Sequence, residues 1–481
     1  MNDELQTFLL ADGDARDELL RQQPAIEKAV ESWMGAAAYA ELRAHAGLHA
    51  VADLAAGMPK NVIFAPGVMG STLHSKGLGG VWWLDMMFAR DKLNGLALAP
   101  GGTNDADADA DIRASGIDVQ YVSLRRAIAA SASFGGSQEF PYDWRKSFAH
   151  SAAALRDAVL DCHKQTGKKV HLVAHSMGGL MVRSALMLHG DELWPKIEKV
   201  VFVGTPHYGS PSIAGYLKNH LWGFEALAVV GMFLSRETFR SLPGVLSLLP
   251  APVGVYPGTR GEGVKPEDHP CANFDMYDAT AWKLDLDAKQ TSQLQSVLDE
   301  AAQFHRDLYR WHNDELLQTH KERMLMIAGV GQEGLFRMEF DEQFWGLWER
   351  TRKHCKRVPG SLDYDGDGRV PLASAQLEDV TIRYVNGVHG GLTGIPAVQA
   401  DVLAWLEGGK LKLPTTPKGA LGAHLSAADT TSQTPVLDGS AQAGLFRDLP
   451  DYEHPTPQFR ADIEKRLAAG AMPEVNLARL L

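Results

Sequence analysis

The chain has 481 residues, more than one typical domain needs, with 45% apolar residues and a formal net charge of −12. That charge argues against nucleic acid as a partner and against electrostatic capture by anionic lipid, but leaves apolar contact with a lipid or micelle surface open. Three cysteines, Cys162, Cys271 and Cys355, are too few and too scattered for a disulfide framework or a zinc site, and they suit a reducing compartment.

The first residues, M-N-D-E-L-Q, are acidic and lack a basic region followed by an apolar one, so no Sec-type signal peptide is expected. The longest apolar run, Leu221–Leu234, is interrupted by Glu225 and is too short to span a bilayer. The expectation is a soluble, cytoplasmic chain, with signal-independent export left open. Oligomeric state is not legible.

Residues 1–58 read as a helical extension: Leu19, Leu20, Ile26, Val30 and Trp33 fall at helical spacing, and an alanine-rich stretch follows. Packing on the core is its plain role, a partner-binding arm the sharper one. Asn61–Ala65 is a short buried strand ending in Pro66–Gly67–Val68–Met69–Gly70. Glycines after a strand let a backbone amide face a reacting group, so Val68 is a candidate oxyanion donor; the alternative is an ordinary Pro-Gly turn. Gly79–Phe88 sets Trp82 and Trp83 beside two methionines behind a Gly-Gly pair. This reads as an apolar lid within a loop of about residues 75–100 that suits an acyl chain, or as an excursion packed on the core. Gly101–Asp111 is a polar surface loop. A strand near Gln138–Phe140 runs into Pro141–Tyr142–Asp143–Trp144–Arg145, and a helix over Ser147–Thr166 follows.

Val170–Val182, V-H-L-V-A-H-S-M-G-G-L-M-V, begins as a buried strand, breaks, and resumes at helical spacing. A strand, a tight turn and a helix make a nucleophile elbow that holds Ser176 strained and exposed. The turn needs small residues two before and two after the serine, which Ala174 and Gly178 supply. The Met177 amide, at the helix N-terminus, can face a developing oxyanion. The plain alternative is a serine N-cap.

Ile197–Gly204 is another buried strand. From 207 to 320 the strand–helix alternation stops, and the chain is apolar and irregular until a long amphipathic helix near Ala288–Trp311. This stretch reads as an inserted cap, or as a helical satellite without a substrate role. Met324–Gly329 and Val380–Val385 are further strands, and Ile395–Leu406 is a closing helix. The reading is therefore an α/β fold, a mostly parallel sheet with helices on both faces, its core in two parts, 59–206 and 321–408. Residues 409–481 read as a linker or extended wrap followed by a tail.

A serine hydroxyl needs a histidine base and a carboxylate to orient that base. In α/β-hydrolases the chain order is serine, acid, histidine. Beyond the acidic cluster at 363–367 only His389, His424 and His454 remain, and His389 alone sits in a glycine-flanked loop just past a strand. Among Asp363, Asp365 and Asp367, the choice is Asp367, between two glycines, with Asp365 as runner-up. A calcium loop would need an acidic twelfth residue where Ser374 stands, and no metal or other cofactor is expected. His175 should point away from the hydroxyl beside it.

With P-G-V-M-G-S-T-L at 66–73, P-Y-D-W-R at 141–145, A-H-S-M-G-G at 174–179, G-D-G-R-V-P at 366–371 and the late loop with His389, the chain resembles the lecithin:cholesterol acyltransferase family. That family includes lysosomal phospholipases and phospholipid:diacylglycerol acyltransferases. The resemblance spans roughly residues 60–406. It implies an α/β-hydrolase core with a lid and cap that admit an acyl chain, and a triad of Ser176, Asp367 and His389 with the Val68 and Met177 amides at the oxyanion. Trp82, Trp83 and Tyr142 are candidate substrate contacts. The expected chemistry is hydrolysis of a lipid acyl ester, or its transfer to an alcohol acceptor, through an acyl-serine. The competing expectations are a general carboxylesterase on soluble esters, a non-catalytic binding protein on the same fold, and a delivered antibacterial phospholipase. Secreted family members carry lid disulfides that have no counterpart here.

Overall fold

The computed structural model describes residues 3–11, 13–34, 39–40, 43, 59–75, 93–218, 235–261, 269–270, 274–332, 338–342, 349–353 and 366–426. Its strands are β1 (Val62–Ala65), β2 (Ser71–Ser75), β3 (Ile112–Ile117), β4 (Ser137–Glu139), β5 (Val170–His175), β6 (Ile197–Val203), β7 (Met324–Val330), β8 (Met338–Glu342), β9 (Glu349–Lys353) and β10 (Thr381–Asn386). Six form one wholly parallel sheet in the order β10–β7–β6–β5–β1–β4. The pairs β2/β3 and β8/β9 are antiparallel and separate from it. No alternation in the sequence marks both strands of either pair.

Parallel strands inside a sheet have both faces covered, which is why β1 (V-I-F-A) and β7 (M-L-M-I-A-G-V) are unbroken apolar runs, while the edge strands β4 and β10 carry polar residues. Successive residues point to opposite faces. Ile63, Ala65, Leu172, Ala174, Val200, Phe202, Met324 and Met326 belong to one buried cluster. Their chain neighbours Val62, Phe64, Val173, Val201, Val203, Leu325 and Ile327 belong to another. The first face is covered by the helices Phe148–Thr166, Met177–Leu193 and Ala288–Arg310, through residues such as Leu155, Val159, Met181, Leu294 and Leu298. The second is covered by Val122–Ala129 and Pro396–Glu407, through Leu124, Ile128, Val398, Val402 and Leu406. Each such buried aliphatic side chain contributes about 1.5–3 kcal/mol. The helix termini follow their sequence signals. Gly167 closes one helix in the left-handed region at φ 63°, and Asp287 with Gln290 forms a capping box on another.

Between residues 207 and 320 the described helices include Pro211–Lys218, Arg236–Arg240, Pro243–Leu246 and Ala288–Arg310. Leu242, Val245, Leu246 and Trp282 from this region share the cluster of the first sheet face. At the other end of the chain, helices Asp3–Leu10, Gly13–Gln22 and Pro24–Met34 bury Leu5, Phe8, Leu20, Ile26 and Val30 together with Val122 of the core. Buried Arg16 donates to the carbonyls of Phe8 and Ile117, tying this unit to β3. Beyond Glu407, buried Asp401 accepts the amides of Lys412 and Leu413, and the Tyr384 amide donates to Pro414, so the segment read as a linker or wrap lies along β10 into the helix Pro417–Ser426.

Several sequence expectations fall outside the described residues: the lid with Trp82 and Trp83, the run Leu221–Leu234, Asp363, Asp365, and the tail with His454. Among the described residues no helix is long and apolar enough to cross a membrane.

Candidate active site

β5 ends at His175 and its helix begins at Met177, which leaves Ser176 alone in the turn at φ 53°, ψ −127°. A side chain in that region is uncommon and costs on the order of 1–3 kcal/mol, so the surroundings must hold it there. They do so through the Ser176 amide, which donates to Val203 of β6 at 2.9 Å, and the Ser176 carbonyl, which accepts from Gly179 at 3.0 Å. The small-residue requirement has a direct cause at Gly178. A Cβ there would stand 2.4 Å from the Pro66 carbonyl oxygen and 2.6 Å from that of Ala65. The elbow helix therefore rests on the end of β1, and this brings the loop after β1 beside the serine. Neither the Val68 nor the Met177 amide meets a backbone acceptor among the described residues.

His389 Nε2 lies 2.8 Å from Ser176 Oγ, and His389 Nδ1 lies 2.7 Å from Asp367 Oδ2. A carboxylate accepts, so Nδ1 carries the proton and Nε2 is bare toward the hydroxyl. The second carboxylate oxygen of Asp367 accepts from the amides of Arg369 at 3.0 Å and Val370 at 2.8 Å, and the Asp367 carbonyl accepts from the His389 amide at 2.9 Å. These bonds fix both the carboxylate plane and the base loop. Ser176, Asp367 and His389 are 4%, 2% and 5% exposed, so the run is shielded from water. Ser176, read from the elbow, and Asp367 and His389, read from chain order and their glycine-flanked loops, thus stand in hydrogen-bond contact, across sequence separations of 22 and 213 residues. A hydroxyl with a bare imidazole nitrogen in reach, and that imidazole held by a carboxylate, can be deprotonated as it attacks a carbonyl.

His175 points the other way, as expected, with Nδ1 3.0 Å from the Tyr121 hydroxyl. Burial, together with the neighbouring His389, pushes its pKa down to about 3. Tyr142 is 4% exposed and its hydroxyl donates to the Pro66 carbonyl at 3.0 Å. Tyr142 also lines an open cleft of about 880 Å³ with Phe140, Lys146 and His150. The rest of the P-Y-D-W-R stretch is scaffold. Trp144 donates to the Ser71 carbonyl. Fully buried Arg145 bonds to Asp143, Asp105 and the Leu96 carbonyl, which pins the segment between β2 and the excursion before β3. Sequence reasoning missed Tyr121 and the two amides that hold Asp367. No motif marks either, because backbone donors and a lone tyrosine carry no spacing signal.

Among the described residues no group of three or more His, Cys, Asp or Glu is placed to hold a metal ion.

The family model described as lecithin:cholesterol acyltransferase matches residues 120–328. Over that stretch the chain is similar to the lecithin:cholesterol acyltransferase family. The match takes in the P-Y-D-W-R segment and the elbow and stops short of Asp367 and His389. The uncharacterized protein YJR098C of Saccharomyces cerevisiae is 32% identical over 281 residues, covering 52% of this chain and 39% of that protein. Phospholipase A(1) LCAT3 of Arabidopsis thaliana is 23% identical over 317 residues, covering 60% of this chain and 67% of that protein. Among solved structures, a chain of the Tle4–Tli4 complex aligns with a TM-score of 0.50 at 16% identity, over 73% of this chain and 98% of that one. At that identity the structural likeness speaks to fold, and the fold is that of the α/β-hydrolases: a parallel sheet with an elbow at the end of a central strand.

Proposed function

We propose that this lecithin:cholesterol acyltransferase-like chain is a serine hydrolase or O-acyltransferase acting on lipid acyl esters, with Ser176 as nucleophile, His389 as base and Asp367 as the acid that orients it. The observation that carries the reading is the hydrogen-bonded run from Ser176 through His389 to Asp367, at 2.8 and 2.7 Å, set on a strained elbow. In this reading His389 Nε2 takes the Ser176 proton as Oγ attacks the ester carbonyl. The oxyanion is held by the Val68 and Met177 amides, each contributing about 3–4 kcal/mol to the transition state. His389 then protonates the leaving alcohol, and an acyl-serine remains. Water or an acceptor alcohol, deprotonated by the same nitrogen, collects the acyl group.

The lipid assignment draws support from the family match and from the phospholipase A(1) name of the Arabidopsis relative. It also draws support from Val388, 45% exposed directly beside His389, an apolar contact at the rim where an acyl chain would pass. We assign residues 207–320 as a cap over this rim.

The test is Ser176→Ala assayed on fluorogenic esters, paired with fluorophosphonate labelling of the unaltered protein. Loss of the nucleophile should lower kcat on the order of 10⁶-fold. Undiminished turnover would end the proposal, and an unlabelled wild-type protein would favour a non-catalytic binding role. Lipid mass spectrometry on a phospholipid mixture, with and without an added alcohol, then separates hydrolysis from transfer. A preference for short soluble esters, with no rate rise above micelle formation, would redirect the assignment to a carboxylesterase.

A further inference from the structure

We infer that Tyr121 and His175 are positioning residues that hold the oxyanion loop and the base loop in register from behind the nucleophile. The inference deepens the proposed function and rests on it. The two loops come from strands that are not neighbours: residues 66–70 follow β1, and His389 follows β10, on the far side of β5, β6 and β7. A run of hydrogen bonds crosses that gap beneath Ser176. The Gly67 amide lies 3.0 Å from the Tyr121 hydroxyl, that hydroxyl lies 3.0 Å from His175 Nδ1, and His175 Nε2 lies 3.2 Å from the His389 carbonyl oxygen.

The polarity of the run is fixed by its ends. A carbonyl can only accept, so His175 Nε2 carries the proton. The ring is held neutral by burial, with its pKa pushed down to about 3. Nδ1 is then bare and accepts from the Tyr121 O–H, which leaves the tyrosine oxygen to accept from Gly67. Every donor has one acceptor, and each link strengthens the next in a low-dielectric setting. Tyr121 and His175 are both fully buried. Gly67 is wedged against this assembly, since a Cβ on it would lie 3.0 Å from Ser176 Cβ, 3.2 Å from His175 Nδ1 and 3.3 Å from the Tyr121 oxygen. With the Gly67 amide turned to Tyr121, the next amide in the loop, Val68, is the one left for substrate. At the other end, the grip on the His389 carbonyl acts on the residue whose ring must meet both Asp367 and Ser176. Neither Tyr121 nor His175 contacts a reacting atom, so both act through others.

The experiment uses the full chain and the variants Tyr121→Phe, His175→Asn and His175→Gln, with p-nitrophenyl butyrate turnover normalised to serines titrated by a fluorophosphonate. The asparagine amide can reach toward Tyr121 but not to the His389 carbonyl, whereas the glutamine amide can reach that carbonyl. Expected are a fall in kcat per labelled serine of about 10- to 100-fold for Tyr121→Phe and His175→Asn, with KM within about twofold, and a smaller fall for His175→Gln. The double variant Tyr121→Phe/His175→Asn should lose no more than the worse single change, because one run is broken either way. A residue with a merely structural role would lower the melting temperature and the labelled fraction and leave kcat per labelled serine unchanged. Turnover per labelled serine within twofold of wild type in both single variants, or losses that multiply in the double, would overturn the inference. Should Tyr121→Phe fail to fold, the two His175 variants decide by the same criterion. Failure of the underlying function has a separate signature: wild-type protein that takes no label at Ser176, or Ser176→Ala that keeps its activity.

Discussion

Asp367→Asn is the sharpest test of how the acid works, because the surroundings leave the new amide only one orientation. The carboxylate has two jobs on two oxygens. One accepts from His389 Nδ1 at 2.7 Å, and the other accepts from the Arg369 and Val370 amides at 3.0 and 2.8 Å. An asparagine side chain has one accepting oxygen and one donating nitrogen. If the nitrogen faced Arg369 and Val370, three donors would crowd together with no acceptor, leaving buried N–H groups unpaired at about 1–3 kcal/mol each. The oxygen therefore goes to the two amides and the NH₂ goes to His389. That forces the imidazole into the other tautomer, with Nδ1 bare and Nε2 protonated toward Ser176, so it cannot accept the serine proton. Inverting the tautomer of a catalytic histidine lowers kcat by about 10⁴-fold, which is about 5 kcal/mol of transition-state stabilisation. Stability should change by no more than about 2 kcal/mol, because the two backbone amides keep an acceptor. The assay is kcat on a fluorogenic ester, read beside urea unfolding and with Asp365→Asn as a control that stays within twofold of wild type. A drop of less than tenfold in Asp367→Asn, in protein with an unchanged unfolding midpoint, would refute the reasoning and reopen the choice of acid.

Gly178→Ala puts a methyl group 2.4 Å from the Pro66 oxygen and 2.6 Å from the Ala65 oxygen, so the elbow helix and the end of β1 must part. A loss of about 1–3 kcal/mol is expected in urea unfolding, with at least about 100-fold lower kcat; stability within 0.5 kcal/mol of wild type would count against this contact. Arg145→Ala takes the guanidinium from Asp105 and Asp143, whose side chains are only 9% exposed, leaving them the Ile112 amide and Lys146 at 3.7 Å, and should cost about 3 kcal/mol. Arg145→Lys should recover little of it, because one ammonium cannot reach Asp143, Asp105 and the Leu96 carbonyl at once. The buried histidines predict acid sensitivity away from the active site as well. Burial, with the buried Arg183 guanidinium nearby for two of them, takes His305 to about 4, His312 to about 3 and His175 to about 3, all below the ordinary 6.5. The unfolded chain then binds more protons than the folded one below pH 6.5, so stability is fully present above that pH and lost as pH falls toward 4. At pH 5 each histidine accounts for a loss of about 2 kcal/mol. Asp118, raised to about 6 by burial, works in the opposite sense by about 1 kcal/mol at the same pH. Urea midpoints at pH 7 and pH 5 check this, with the lower midpoint expected at pH 5 because the histidines outweigh Asp118; equal midpoints would sink it.

What could be read from the sequence was what local physics encodes. Val170–Val203 carries its strand, elbow, helix and strand in apolar period and small residues, and the structure follows it nearly residue for residue. Gly167 marks a helix end because end chemistry is a one-residue property. What could not be read is non-local. Tyr121 meets His175 from 54 residues away, and nothing in Val119–Ser123 signals a buried hydroxyl with two partners. The Arg369 and Val370 amides that steady Asp367 are backbone groups, silent in any composition. The long amphipathic helix was legible as a helix, but not that its apolar stripe would share one cluster with Phe148 and the sheet; periodicity reveals that a face is buried, not against what.

The convergence of distant residues on one serine has a topological cause. From β1 the chain crosses to β4 on one side, then returns past β1 to β5 on the other, and continues outward through β6, β7 and β10. The loops leaving β1 and β5 therefore part in opposite directions between adjacent strands, opening a crevice at their carboxyl ends, where open parallel sheets place their ligands. The loop after β1 supplies Val68 and the one after β5 supplies Ser176. Asp367 meets the end of β7 through the bridge from Gln332, and His389 follows β10. Because all six strands run the same way, these four loops leave from one edge of the sheet. Reversing any one strand would carry its residue to the opposite edge, about the length of a strand away. The serine–acid–histidine order along the chain is thus the order in which a parallel sheet with right-handed crossovers lays down strands outward from its centre, and that is why chain order could cut eighteen histidines to three, of which His389 alone follows a strand.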